Sequence, residues 1–146
     1  MLKLYLDNCC YNRPFDDLNQ ETIISEATAI ENIFSKNVNK KIQIYKSMAI
    51  EFEILKIKDD NKRRQVEDLI DAMDLIEIDY SQIIKQRAME LIKYNIKDMD
   101  ALHIAFAESK NIDFFITTDK FLINASKRVK LKVKIMNPVE FLMEVM

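Results

Sequence analysis

Two periodicities alternate along the chain. Leu2–Leu6 is a short apolar run and predicts a first strand. An irregular piece follows through Asn19, broken at Pro14. Ile23, Ile24, Ala27, Ile30 and Phe34 then recur at helical spacing and predict a helix from Glu21 to about Ser35. Ile42–Tyr45 reads as a second strand, and Ser47 is placed to cap a helix running to about Lys58. Val66, Leu69 and Ile70 share one face of a helix over Lys62–Met73, ahead of a short strand at Leu75–Ile78 and a helix at Ser81–Tyr94. Asp98–Lys110 is apolar almost all round, the pattern of a buried helix. The stretch "DFFITTD" predicts a strand at Asp113–Thr117. A short helix to about Lys127, a strand at Val129–Ile135 and a terminal helix opened by Pro138 complete the order.

Strands alternating with helices, with no repeat or linker, predict one α/β domain over residues 1–146 with a mostly parallel central sheet. Such sheets bind ligands beyond the carboxyl ends of their strands. Asp7 and Asp119 stand just past two of those ends.

Composition narrows the chemistry. Hydrophobic residues make up 49% and charged residues 32%, the balance of a soluble globular chain. No apolar run is long enough to span a bilayer and the N-terminus has no signal-like apolar region, so a cytoplasmic protein with no membrane partner is expected. Glycine is absent, and both the phosphate-binding loop of nucleotide hydrolases and the dinucleotide turn need it for close backbone approach. His103 is the only histidine, which leaves little for a Ser-His-Asp or Cys-His mechanism. Cys9 and Cys10 are the only cysteines and read as small packing residues, not as zinc ligands or a disulfide. The net charge of −2 gives the whole molecule no strong field for a polyanion. What remains is chemistry by carboxylates and a metal.

Four carboxylate positions are candidates, two of them ambiguous. Asp98 and Asp100 open the buried helix but point to nearly opposite sides at about 100° per residue. Asp98 reads as an N-cap. Asp100 lies on the side of His103, Ile104 and Ala107, where an acid is expensive without a cation, although a helix-dipole role fits as well. On the helix after the second strand, periodicity does not decide between Glu51 and Glu53, and either can lie on a solvated face. Converging acids repel one another and make sense around Mg²⁺ or Mn²⁺, which take oxygen ligands. One or two such ions can activate water for in-line displacement at phosphorus. The expectation is a metal-dependent phosphodiesterase or nuclease.

Four blocks in order resemble the PIN-domain family, especially the bacterial VapC-type toxins and their stand-alone relatives. They are "YLDNCCYNRP" with Asp7, "SMAIEFEI" with Glu53, "DALHIAFA" with Asp100 and "DFFITTDKFL" with Asp119, spread over nearly the whole chain. The Asn-Cys-Cys after Asp7 differs from the small or hydroxyl-bearing residue usual in the toxins. The resemblance implies a three-layer α/β/α PIN-like fold and selects Glu53 and Asp100 from the ambiguous pairs. It implies a metal-dependent endoribonuclease for single-stranded RNA in which Asp7, Glu53, Asp100 and Asp119 hold one or two Mg²⁺ or Mn²⁺. It further implies a homodimer and, in many members, a small antitoxin protein as partner. Asn8 and Thr117 are candidates to orient ligands or water, although for Asn8 an ordinary turn residue is the favoured reading. His103 reads as a packed, hydrogen-bonded residue with room for a supporting role. Arg13 either grips a phosphate of the RNA or pairs with Asp16 or Asp17. Lys130, Lys132 and Lys134 offer an RNA surface or, on an edge strand, a guard against sheet pairing. Lys62-Arg63-Arg64 reads as a surface helix start. The rival reading is a catalytically silent PIN-fold module with a binding or regulatory role.

Overall fold

A computed structural model describes all 146 residues. Five strands form one sheet: β1 (Leu2–Leu6), β2 (Ile42–Ser47), β3 (Ile76–Ile78), β4 (Phe114–Ile116) and β5 (Lys134–Met136). Their order is β3-β2-β1-β4-β5, and every neighbouring pair is parallel. The helices are α1 (Asn8–Asn12), α2 (Glu21–Val38), α3 (Met48–Leu55), α4 (Asp60–Ala72), α5 (Gln82–Ile92), α6 (Asp98–Ser109), α7 (Lys120–Ser126) and α8 (Pro138–Glu144), with a 3₁₀ turn at Arg13–Phe15.

The connectivity places the site. From β1 the chain steps outward through β2 to β3, then crosses back to β4 on the other side of β1 and on to β5. With the right-handed crossovers usual between parallel strands, this order assigns α2 and α4 to one face of the sheet and α5 and α6 to the other. The crevice where the direction reverses lies between β1 and β4, at their carboxyl ends. Asp7 donates its backbone N–H to Ile116 there, at 2.9 Å.

Both faces of the sheet are covered, as a parallel sheet requires. Leu4, Tyr5, Leu6, Ile44, Phe115 and Ile116 are fully buried, and they join Ile30, Ile33, Ile104 and Phe106 from the helices in one hydrophobic cluster. Tyr5 and Phe115 are register partners and stack at 5.4 Å on one face. Phe114 meets Phe141 of α8 edge-on. Helix α6 is buried through Ala101 and from His103 to Glu108, in keeping with its lack of a polar face.

Three expectations need correction. The piece after β1 is helical: Asp7 accepts from the Asn8 N–H at its head, and Cys10 and Tyr11 turn inward to supply the apolar side that anchors it. Asp98 is not a cap, because Lys97 holds the extended cap position and its carbonyl accepts from Ala101; Asp98 sits in the first turn. The last strand does not begin at Val129. Its neighbour β4 offers only three residues to pair with, and the Lys132 N–H is drawn instead to the buried Glu108 carboxylate at 2.8 Å. Only Lys134 of the three alternating lysines therefore lies on the edge strand.

Candidate active site

Each acid reaches the crevice by a local device. Asp7 ends the central strand and caps α1 with Oδ1, while its Oδ2 accepts from the Thr117 hydroxyl at 2.8 Å. The same hydroxyl oxygen accepts the Asp119 N–H at 3.1 Å, so Thr117 ties the first acid to the backbone of the last. Asp119 caps α7, its Oδ1 accepting from Phe121 and Leu122. Ser47 ends β2 and caps α3, which sets the turn that carries Glu53 inward. Glu51, two residues earlier, is half exposed and pairs with Lys46 at 2.9 Å. The pair that periodicity left open thus separates into one surface acid and one acid of the crevice.

Ligating atoms of Asp7, Glu53 and His103 lie within 4.8 Å of one another. Asp100 and Asp119 lie outside that tight group, but both belong to the same electrostatic cluster. The Asp100 carboxyl is pushed up to about 6, first by burial, then by the charges of Asp7 and Asp119; His103 opposes this and Glu53 adds to it. Burial likewise raises Asp7 above the ordinary carboxylate range, against the pull of His103 and the Thr117 hydroxyl, with Glu53 adding repulsion. Such a set is costly without a cation. Its oxygen-rich donors fit a hard divalent ion such as Mg²⁺ or Mn²⁺.

The other candidates divide. Asn8 opens α1 with its backbone N–H on Asp7. Arg13 donates to Asp16 at 3.0 Å and to the Thr118 hydroxyl at 2.8 Å. Its Nε lies 3.3 Å from Glu26 but is not aligned for a hydrogen bond. The pairing with Asp16 is therefore present, and Lys62 joins it at 2.6 Å. Arg63 pairs with Asp60 at the surface.

A buried chain of polar groups stands behind Glu53. His103 is fully buried, with Nε2 against the Glu53 carboxylate and Nδ1 at 2.7 Å from the Tyr5 hydroxyl; that hydroxyl lies 2.7 Å from Ser47 Oγ. The apolar pattern of β1 concealed Tyr5 as a polar group. The only signal in its favour was a phenol in the middle of a strand expected to be buried on both faces, where its hydroxyl needs a partner.

The fold class is a PIN-like α/β architecture with acids at the carboxyl edge of a parallel sheet. No protein-family model matches the chain, and no curated protein does. Solved structures that share the fold include two toxin–antitoxin complexes. VapBC2 from Rickettsia felis, bound to a DNA fragment from its promoter, superposes with a TM-score of 0.60 at 16% identity, covering 93% of this chain and 98% of that one. VapBC-5 from Mycobacterium tuberculosis, of the VapBC family of toxin–antitoxin systems, gives 0.53 at 13% identity, with coverage of 94% and 99%. The chain therefore has the fold of the VapC toxins, which are PIN domains, over nearly its whole length.

Proposed function

We propose that the chain is a PIN-like nuclease domain, residues 1–146, that cleaves single-stranded RNA with the help of one or two Mg²⁺ or Mn²⁺ ions. The observation that carries this reading is the gathering of Asp7, Glu53, Asp100 and Asp119 at the topological switch point, with Asp100 pushed up to about 6 by burial and its acidic neighbours. Asp7, Glu53 and Asp100 would hold the metal, with Asp119 completing the set from its cap position. A divalent ion bound there supplies charge neutralisation at the scissile phosphate and a more acidic water.

The remaining groups act on the acids. The Thr117 hydroxyl fixes Asp7 and the backbone of Asp119 together. Asn8 holds Asp7 through its backbone N–H. Arg13 braces the loop beside the crevice through Asp16 and Thr118, and would meet an RNA phosphate with the N–H groups that these two bonds leave over. A homodimer and a small antitoxin protein that covers the acidic crevice belong to the same reading, in keeping with the toxin–antitoxin systems whose fold the chain shares. No helix is long and apolar enough to cross a membrane.

Cleavage of a labelled single-stranded RNA with Mn²⁺, Mg²⁺ or EDTA tests the proposal. Activity with either metal is expected, lost with EDTA and in the Asp7→Asn and Asp100→Asn variants. Equal cleavage by wild type and both variants would sink the site. Absence of both turnover and a metal-induced thermal shift would favour a silent binding module.

A further inference from the structure

We infer that His103 is a positioning residue: it orients Glu53 as a metal ligand and is itself held by Tyr5 and Ser47. The inference rests on the metal-site reading above. Of the four acids, Glu53 and Asp100 accept from neither a helix N-terminus nor a threonine, and of these two only Glu53 has a side-chain partner, the ring of His103. Asp7 is held by Asn8 and Thr117, and Asp119 by Phe121 and Leu122. The Glu53 side chain is 26% exposed, long and rotatable, and its one polar partner is the ring of His103, which is fully buried.

The hydrogen bonds fix the role of the ring. An ionised carboxylate only accepts, so Nε2 must carry the proton that faces Glu53. Nδ1 is taken by the Tyr5 hydroxyl. Both nitrogens are thus engaged, and the ring has no lone pair to offer an ion in this arrangement. The chain closes on backbone, because Ser47 Oγ also accepts the Ala49 N–H at 3.2 Å as the cap of α3, the helix that carries Glu53. With Ser47 donating to the Tyr5 oxygen and Tyr5 donating to Nδ1, every buried member is satisfied; the reverse direction would leave the buried Ser47 O–H without an acceptor. The path therefore leaves Glu53 through α6 and β1 and returns to the first turn of its own helix. Oε1 takes the bond from His103, and Oε2, which has no hydrogen bond, would be open to an ion. Carboxylate ligands are commonly braced in this way, and loss of the brace typically costs 10–100-fold in metal affinity or activity.

The test measures Mn²⁺ binding by the full chain, by paramagnetic resonance of the free ion, with folding checked in EDTA by circular dichroism. His103→Leu should weaken binding by about 10–100-fold, and the Mn²⁺ concentration for half-maximal RNA cleavage should rise equally while kcat at saturating Mn²⁺ is kept. Tyr5→Phe, which removes only the anchor, should move both quantities the same way by less. His103→Gln, whose amide N–H can reach the same carboxylate, should restore most of the affinity. Unchanged Mn²⁺ affinity in His103→Leu and Tyr5→Phe, with only a lower melting temperature, would overturn the inference and leave the metal site standing. So would a fall in kcat at an unchanged metal requirement. A wild-type protein that binds no Mn²⁺ would overturn both.

Discussion

Asp100 carries a cost that the metal-free protein must bear. Its carboxyl titrates at about 6 in the folded state against an ordinary value of 3.8, so between those pH values the folded form holds a proton that the unfolded chain has released. The contribution of this group to stability is therefore full below 3.8 and is lost as pH rises through about 6. Urea midpoints in EDTA should show a component falling with pH across that window, and Asp100→Asn should remove it and raise the midpoint near pH 7. The same variant should lose at least about a hundredfold in metal-dependent cleavage, since a metal site supplies several kcal/mol to such a reaction. At this scale Asp7 and Asp119 were legible as acids just past strand ends, whereas Glu53 and Asp100, both on helices, were singled out from their pairs only by the family resemblance. What spacing could not decide, between Glu51 and Glu53, the fold separates through partners: Lys46 at the surface for one, buried His103 for the other. Tyr5 escaped notice because a phenol in an apolar strand counts toward the core, and nothing in β1 itself announces a histidine 98 residues away.

Elements were easiest to read where one face had to be buried. Helix α2 and strand β1 follow directly from their apolar spacing. Short pieces were not legible in this way: α1 has five residues, and its helicity depends on the Asp7 cap and on tertiary burial of Cys10 and Tyr11. The double duty of Asp7 and Asp119 as caps separates two kinds of substitution. Asp119→Asn keeps an acceptor for the Phe121 and Leu122 N–H groups and should leave stability nearly unchanged, whereas Asp119→Ala should lose about 1 kcal/mol in chemical denaturation. Both should lower activity alike. Helix ends show how the chain manages without glycine. Lys40, Asn95 and Asn111, with φ of 60°, 64° and 54°, take the left-handed positions after α2, α5 and α6. Asparagine tolerates that conformation better than lysine does. Lys40→Gly should accordingly stabilise the protein by roughly 1 kcal/mol, read from the urea midpoint.

Across the whole molecule, the crossing from β3 back to β4 is secured by α5 and α6 and by one buried carboxylate. Glu108, only 7% exposed, accepts from Arg87 at 2.6 and 3.2 Å and from the Lys132 N–H. It thereby joins α5, α6 and the segment leading into β5. Arg87→Ala would strand that carboxylate and should cost roughly 2–3 kcal/mol by urea denaturation, less than for a fully enclosed pair because Arg87 is 27% exposed.

Because β1 sits at the middle of the sheet, its second neighbour arrives late. Thr117 and Asp7 are 110 residues apart, and at roughly 5–20 residues per second a ribosome takes about 5–20 s to cover that interval. Until then β1 can pair with β2 only, leaving the other side of its backbone without partners. The nascent chain is therefore without an assembled crevice and bears an open edge at the same moment. It is inert and in need of protection until its last third emerges.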